Sequence, residues 1–220
     1  MMKASLIVVL AFAGAVHAQD ADPAKQLAEE RMKQMMDPSA MQTWMESTKP
    51  TLGHEVLKKF TGHWNTEMKL YSDPSQPPMV SEGHTIAKTI HGGRFVITEY
   101  SGTMMGMPYN GYGIMGYDNN RKLINSTWVS NMDTCMHVSR GAHNMDVTIM
   151  PLIGEMEEPM SGEMGKTYRQ QYHFKDDGSM VFEIAEILYG EPFKVLEMVS
   201  TPCEGEDCGH HDGHDHDHGG

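Results

Sequence analysis

Long apolar runs are nearly missing from this chain. The run from Leu6 to Val16 stands out, and it is too short for a membrane-crossing helix, which needs about twenty residues. Nothing later is longer or more apolar, so no membrane insertion is expected. With Lys3 ahead of it and the small-residue ending Val16-His17-Ala18 behind it, the run instead predicts a secretory signal over residues 1–18, cleaved after Ala18. The mature protein is therefore expected to be periplasmic or secreted. Basic residues are also scarce: 17 Lys and Arg face 30 Asp and Glu, a formal charge of -13. Such a surface repels phosphate backbones and anionic lipid heads, which argues against nucleic acid as a partner.

Cysteine is sparse too. Cys203 and Cys208 are close enough to close a small disulfide loop in an oxidising compartment. Cys135 remains, in what reads as a strand, with His137 on the same face and no third partner to make it a nucleophile. The usual hydrolase signatures are absent: His54-Glu55 lacks the second histidine of a zinc protease, and there is no G-x-S-x-G elbow.

What is present falls into four parts. After the signal, residues 19–60 carry helical periodicity: Leu27, Arg31, Gln34 and Met35 form one run, Pro38 ends it, and Met41, Trp44 and Met45 form a second stripe. A third short helix is expected from Leu52 to Phe60. At Thr61 the pattern becomes alternation, with Trp64, Thr66, Met68 and Leu70 expected to face inward from the first strand. Turn chemistry then recurs at Asp73-Pro74, Gly92-Gly93, Gly102 to Pro108, Asp118-Asn119-Asn120, Asn131-Met132-Asp133, Ala142-His143-Asn144, Asp176-Asp177-Gly178 and Gly190-Glu191-Pro192. About ten short strands without helical crossovers make an all-β, antiparallel up-and-down barrel over 61–201, with a flat sandwich as the alternative. Gly154 to Gly165 reads as one long internal loop, and residues 202–220 as a disordered tail.

Three stretches, Phe60-Thr61-Gly62-His63-Trp64-Asn65-Thr66-Glu67, His91-Gly92-Gly93-Arg94-Phe95 and Met105-Gly106-Met107-Pro108-Tyr109-Asn110-Gly111-Tyr112-Gly113, the last running into Gly116-Tyr117-Asp118-Asn119, together with Ser126-Thr127-Trp128 and Phe193-Lys194-Val195-Leu196-Glu197-Met198, resemble the domain-of-unknown-function 1579 family. The resemblance spans roughly Met41 to Thr201. It implies an exported bacterial protein of unassigned activity and carries over no catalytic residue. Gly62-His63-Trp64 is separately similar to the Gly-x-Trp opening of lipocalin-type barrels, in which the Trp plugs the closed end. The histidine tail departs from the family pattern.

That tail is the clearest chemical constellation. His210, His211, His214, His216 and His218 alternate with Asp212, Asp215 and Asp217. Imidazoles are the usual nitrogen ligands of zinc, nickel and copper, and interspersed carboxylates favour a nearby dication. A flexible chain with these groups suits metal buffering or delivery, the alternative being a solvated low-complexity end. Met104, Met105 and Met107, and Met156, Met160 and Met164, suit Cu(I) by their thioethers, or else fill irregular core gaps. Gly111-Tyr112-Gly113-Ile114-Met115-Gly116 matches a dinucleotide motif by letter, but strand signals surround it where a helix should follow.

The barrel interior offers a second site. A barrel of this size encloses one small molecule, here expected to be an apolar or amphipathic ligand with no cofactor. The residues expected at the pocket are Arg94, Glu99, Tyr117, Trp128 and Tyr172, Arg94 having Glu99 or Glu186 as alternative ion-pair partners. A hydrolase acting on a small ester or sugar would draw its carboxylates from Glu99, Asp118, Glu183 and Glu186.

Overall fold

The computed structural model describes residues 22–142, 148–158, 162–188, 191–203 and 208. The expected signal peptide and the tail ligands His210, His211, Asp212, His214, Asp215, His216, Asp217 and His218 lie outside them. The chain divides between Glu46 and Ser47 into two compact units.

In the first unit, helix α1 (Pro23–Met36) starts where sequence rules place a start. Asp22 precedes a proline at the first helical position, and its carboxylate accepts from the Ala24 N–H at 3.0 Å. The helix stops at Asp37, before Pro38, whose missing N–H and ring block continuation. Asp37 then caps α2 (Pro38–Ser47), accepting from the Ser39 N–H at 2.8 Å. Neither helix contains a buried residue.

The second unit opens with a 3-10 turn at Leu52–His54 running into a one-turn helix, α3 (Glu55–Lys58). Ten strands follow: β1 (Gly62–Leu70), β2 (Met79–Ile90), β3 (Phe95–Met104), β4 (Met107–Asp118), β5 (Leu123–Ser130), β6 (His137–Gly141), β7 (Ile149–Glu158), β8 (Glu163–Phe174), β9 (Met180–Leu188) and β10 (Glu191–Pro202). Each pairs antiparallel with its neighbour in sequence, and β10 returns to β1, with Lys69 opposite Glu197 and Leu70 opposite Leu196. This is the closed up-and-down barrel the alternation predicts. Closure leaves no unpaired sheet edge.

The turns are chemically apt. Met105 and Gly106 both have positive φ, 51° and 77°, the backbone of a two-residue turn whose twist matches the flanking strands. Asp118 accepts from the N–H groups of Asn120 and Arg121 at 2.8 and 3.1 Å, closing the β4–β5 connection.

Two local readings are corrected. Gly154 to Gly165 is not one long loop: β7 takes residues 154–158 of it and β8 residues 163–165, with Glu155 opposite Thr167, Met156 opposite Lys166 and Glu158 opposite Glu163. A register shift between Met156 and Glu158 breaks the period-two pattern there, and that break disguised the strand. Cys135 is not on a strand either. It sits between β5 and β6, its N–H donating to Asp133 Oδ1 at 3.0 Å. The Cys203–Cys208 disulfide forms as expected.

One end of the barrel is sealed by its own N-terminal segment. Val56 and Leu57 are fully buried and Phe60 nearly so, packed with Val96, Met115, Ile124, Met150 and Leu152. Each such side chain removed from water contributes about 1.5–3 kcal/mol. From segment 47–60, Val56, Leu57 and Phe60 therefore belong to the barrel's core. From β1, Trp64, Thr66 and Met68 are buried and point inward as the alternation requires, and the Trp64 indole N–H donates to the Phe60 carbonyl at 2.9 Å.

Candidate functional site

The sealed end fixes where space remains. Above Phe60 lies a cavity of about 350 Å³, reaching to the opposite end of the barrel. Inward alternation on β3, β4, β5, β7, β8, β9 and β10, with Met132 from the β5–β6 connection, supplies its wall: Tyr100, Tyr109, Trp128, Tyr168, Tyr172 and Phe182 give aromatic faces, and Met104, Met115, Met132, Met156, Met180 and Met198 fill between them. Aromatic rings supply rigid apolar area and thioethers adapt to shape, the composition of a small-molecule pocket. The volume falls at the lower end of such pockets.

Glycine makes room for the central ring. A Cβ at Gly111 would overlap the Trp128 indole, and one at Gly113 would come within 2.9 Å of it. These two glycines face Ser130 and Trp128 across the β4–β5 ladder. The run that imitates a dinucleotide motif is therefore a notch in a strand.

Polar groups cluster near the open end. The Trp128 indole N–H donates to the Tyr109 hydroxyl at 3.0 Å. His137 Nε2 lies 2.8 Å from Asp133 Oδ2, and both residues line the cavity. Burial raises the Tyr109 phenol above its ordinary value, the Trp128 hydrogen bond opposes that rise, and the negative charge of Asp133 adds to it. Tyr100 stacks obliquely on Tyr109, ring centres 5.3 Å apart.

Deeper in, Ser139 donates to Gln170 Oε1 at 2.6 Å, and Thr66, Thr85 and Ser200 form a hydroxyl chain with spacings of 3.1 and 3.3 Å. The Tyr100 hydroxyl is buried without a hydrogen-bond partner among the described residues, and burial pushes its pKa up to about 12. It sits over the paired glycines Gly83 and Gly102, where any Cβ would strike it. Burial also raises Tyr168; Ser139 eases that rise from nearby without a hydrogen bond of normal geometry.

Of the residues expected at a pocket, the structure brings Trp128 and Tyr172 to the cavity. Tyr172 packs edge-on against Phe60, with centres 5.0 Å apart. Arg94 lies in the β2–β3 connection, its guanidinium donating to the carbonyls of Thr48 and His91 at 2.9 and 2.8 Å, so neither Glu99 nor Glu186 is the partner these bonds use. Glu99 is exposed on the outer face of β3, opposite Ile86 and Tyr112. Tyr117 packs edge-on against His54 at the sealed end, centres 5.4 Å apart.

The four carboxylates considered for hydrolysis are dispersed. Asp118 caps a turn at the sealed end, Glu183 bonds Lys194, Glu99 faces out, and Glu186 pairs with Lys166 at 2.7 Å. Tyr109, Asp133 and His137 were missed. Asp133 read as turn punctuation, and its four-residue spacing to His137 was the available signal.

The methionine groups also separate. Met104 and Met156 line the cavity, whereas Met105, Met107 and Met164 are exposed, and Met160 lies outside the described residues. No group of three His, Cys, Asp or Glu side chains among the described residues is arranged to hold a metal ion.

Fold and cavity together define a class: a single antiparallel meander barrel, sealed at one end and hollow toward the other. Within that class the chain belongs to the family described as "Protein of unknown function (DUF1579)", whose model matches residues 49–201. Among solved structures it is similar to Rv2717c from M. tuberculosis, with a TM-score of 0.50 and 12% identity over 71% of this chain and 100% of that one. At that identity the likeness concerns the fold alone. No curated protein matches the chain.

Proposed function

We propose that this protein is an exported carrier or sensor that holds one small apolar or amphipathic molecule inside its barrel. The observation that carries this reading is the cavity of about 350 Å³ lined by seven aromatic and six methionine side chains, with Asp133, His137 and Glu157 in its wall. A folded core ordinarily closes such space, because every unfilled void forfeits dispersion contacts. The amphipathic lining orients a ligand with its apolar body toward Phe60 and its polar end toward Asp133 and His137.

The test is titration with the neutral fluorophore N-phenyl-1-naphthylamine. One equivalent should bind with enhanced emission. Ser126→Phe, which puts a ring into the cavity from β5, should abolish the enhancement while the circular dichroism spectrum stays that of a β-barrel. Equal binding by that variant, or none by the parent protein, refutes an interior site.

A second reading rests on the sequence of the tail. Five histidines and three aspartates between His210 and His218 supply enough ligands to wrap zinc, nickel or copper. In this reading the tail buffers or delivers transition metal outside the cytoplasm. Calorimetric titration with zinc should give binding that disappears when the chain is ended after Cys208; unchanged stoichiometry in that shortened chain would move the metal elsewhere.

A further inference from the structure

The polar end of the cavity has a definite chemical bias. Its lining includes the carboxylates of Asp133 and Glu157, and no lysine or arginine among the described residues. Lys166 stands on β8 two residues before the cavity-lining Tyr168. It is already engaged by Glu186 at 2.7 Å and Glu163 at 3.6 Å. An anionic head group such as a fatty carboxylate would therefore meet the carboxylates of Asp133 and Glu157 with no lysine or arginine beside it in the described lining.

Aromatic faces stand at the same place. Tyr100 packs on Tyr109, Tyr109 accepts from Trp128, and Asp133 lines the same cavity. Faces of Tyr and Trp attract cations through their quadrupoles, and a carboxylate beside them adds a full counter-charge. Asp133 keeps capacity for it: Oδ1 takes the Cys135 N–H and Oδ2 takes His137 Nε2, leaving a lone-pair direction on each oxygen. When the imidazole is neutral and donates through Nε2–H, Asp133 retains its charge.

A further polar group lacks a partner. Tyr100 lines the cavity with 3% of its surface exposed, and its hydroxyl is unbonded among the described residues. In the apo barrel that group is desolvated without compensation, a cost of about 1–3 kcal/mol that a bound polar group or a trapped water relieves.

We propose that the ligand is an amphipathic organic cation, an alkylammonium compound whose charged nitrogen sits among Tyr109, Trp128 and Asp133 with its apolar body in the methionine-lined interior. This rests on the interior-site reading above and adds the sign of the charge. No bond is made or broken.

The test compares octyltrimethylammonium, octanol and octanoate, matched in chain length, by isothermal titration calorimetry with the full chain. The ammonium compound should bind at least tenfold tighter than octanoate, with octanol between. Asp133→Asn keeps the Oδ1 acceptor for the Cys135 N–H. It should bring the ammonium compound to within about threefold of octanol while octanol itself binds as before.

Glu157→Gln provides a second, independent removal of negative charge and should shift the ratio in the same direction. If octanoate binds as tightly as the ammonium compound, or the ratio survives both substitutions, the charge inference is wrong and the interior site stands. If none of the three binds, both readings fall together.

Discussion

Tyr100 concentrates the tension between stability and binding in one side chain. Its ring fills the inner face of β3 and needs two opposed glycines, Gly83 and Gly102, to lie flat, yet its hydroxyl ends in a desolvated place without a partner among the described residues. Removing the oxygen and keeping the ring should stabilise the empty barrel, because it removes an uncompensated polar burial worth about 1–3 kcal/mol. Tyr100→Phe is therefore expected to raise the urea midpoint at constant slope, by about 1 kcal/mol of unfolding free energy. A lower midpoint would mean that the hydroxyl has a water or chain partner in solution. The neighbouring Trp128 contrasts with it: its N–H is satisfied by Tyr109, and its ring fits only because positions 111 and 113 lack a Cβ.

At the scale of elements, the strands were legible because alternation and turn chemistry agree. Inward Trp64, Thr66 and Met68 followed from period two, and Asp118-Asn119-Asn120 marked a turn whose aspartate bonds two backbone N–H groups. Legibility failed where register shifts, as at Met156 to Glu158, and where function depends on which loop residue leans inward, as at Asp133.

Alternation also could not show that segment 47–60 is latched to the barrel by polar bonds. Asn119 in the β4–β5 turn donates to the carbonyls of Ser47 and Lys49, each at 2.8 Å, and accepts from the Thr51 hydroxyl at 2.8 Å. Arg94 bonds the Thr48 carbonyl from the neighbouring turn. Beyond the latch, the His54 imidazole accepts the Thr51 N–H at 2.9 Å, and burial holds its pKa below the ordinary value. Asn119→Ala should cost about 1–3 kcal/mol and speed hydrogen exchange in residues 52–60 ahead of the strands. Exchange that rises equally throughout the barrel would show that this segment does not open separately.

The whole molecule depends on one seam, the pairing of its first and last strands, because the other neighbours are joined by local connections. Backbone pairing there is reinforced on the outer face by a charge network. Lys69 of β1 lies 2.8 Å from Glu67 and 3.6 Å from Glu197 of β10, and Glu197 also bonds Lys194, which reaches Glu183 of β9 at 3.0 Å.

Glu197 is the shared carboxylate, and the hydrogen bond from Lys194 lowers its pKa against the opposing effect of burial. A carboxyl group whose folded pKa lies below its unfolded value stabilises the fold above the unfolded value, and that contribution is lost as pH falls through the folded one. Lys194 is shifted upward: burial opposes its charge, but the hydrogen bonds to Glu197 and Glu183 prevail. Its contribution is therefore complete below the ordinary lysine range and fades only in strong alkali. The acid side is thus where the seam weakens.

Glu197→Gln should lower stability by about 1 kcal/mol at pH 7, the upper range for partly screened pairs, and urea unfolding should show that gap narrowing as pH drops below the ordinary glutamate value of 4.5. As pH falls on through the lowered folded-state value of Glu197, the two proteins should converge on the same midpoint, since the parent's own carboxylate then loses its charge. A gap that stays constant from pH 7 to pH 3 would mean that the substitution acts through packing, leaving the closure of the barrel to backbone pairing alone.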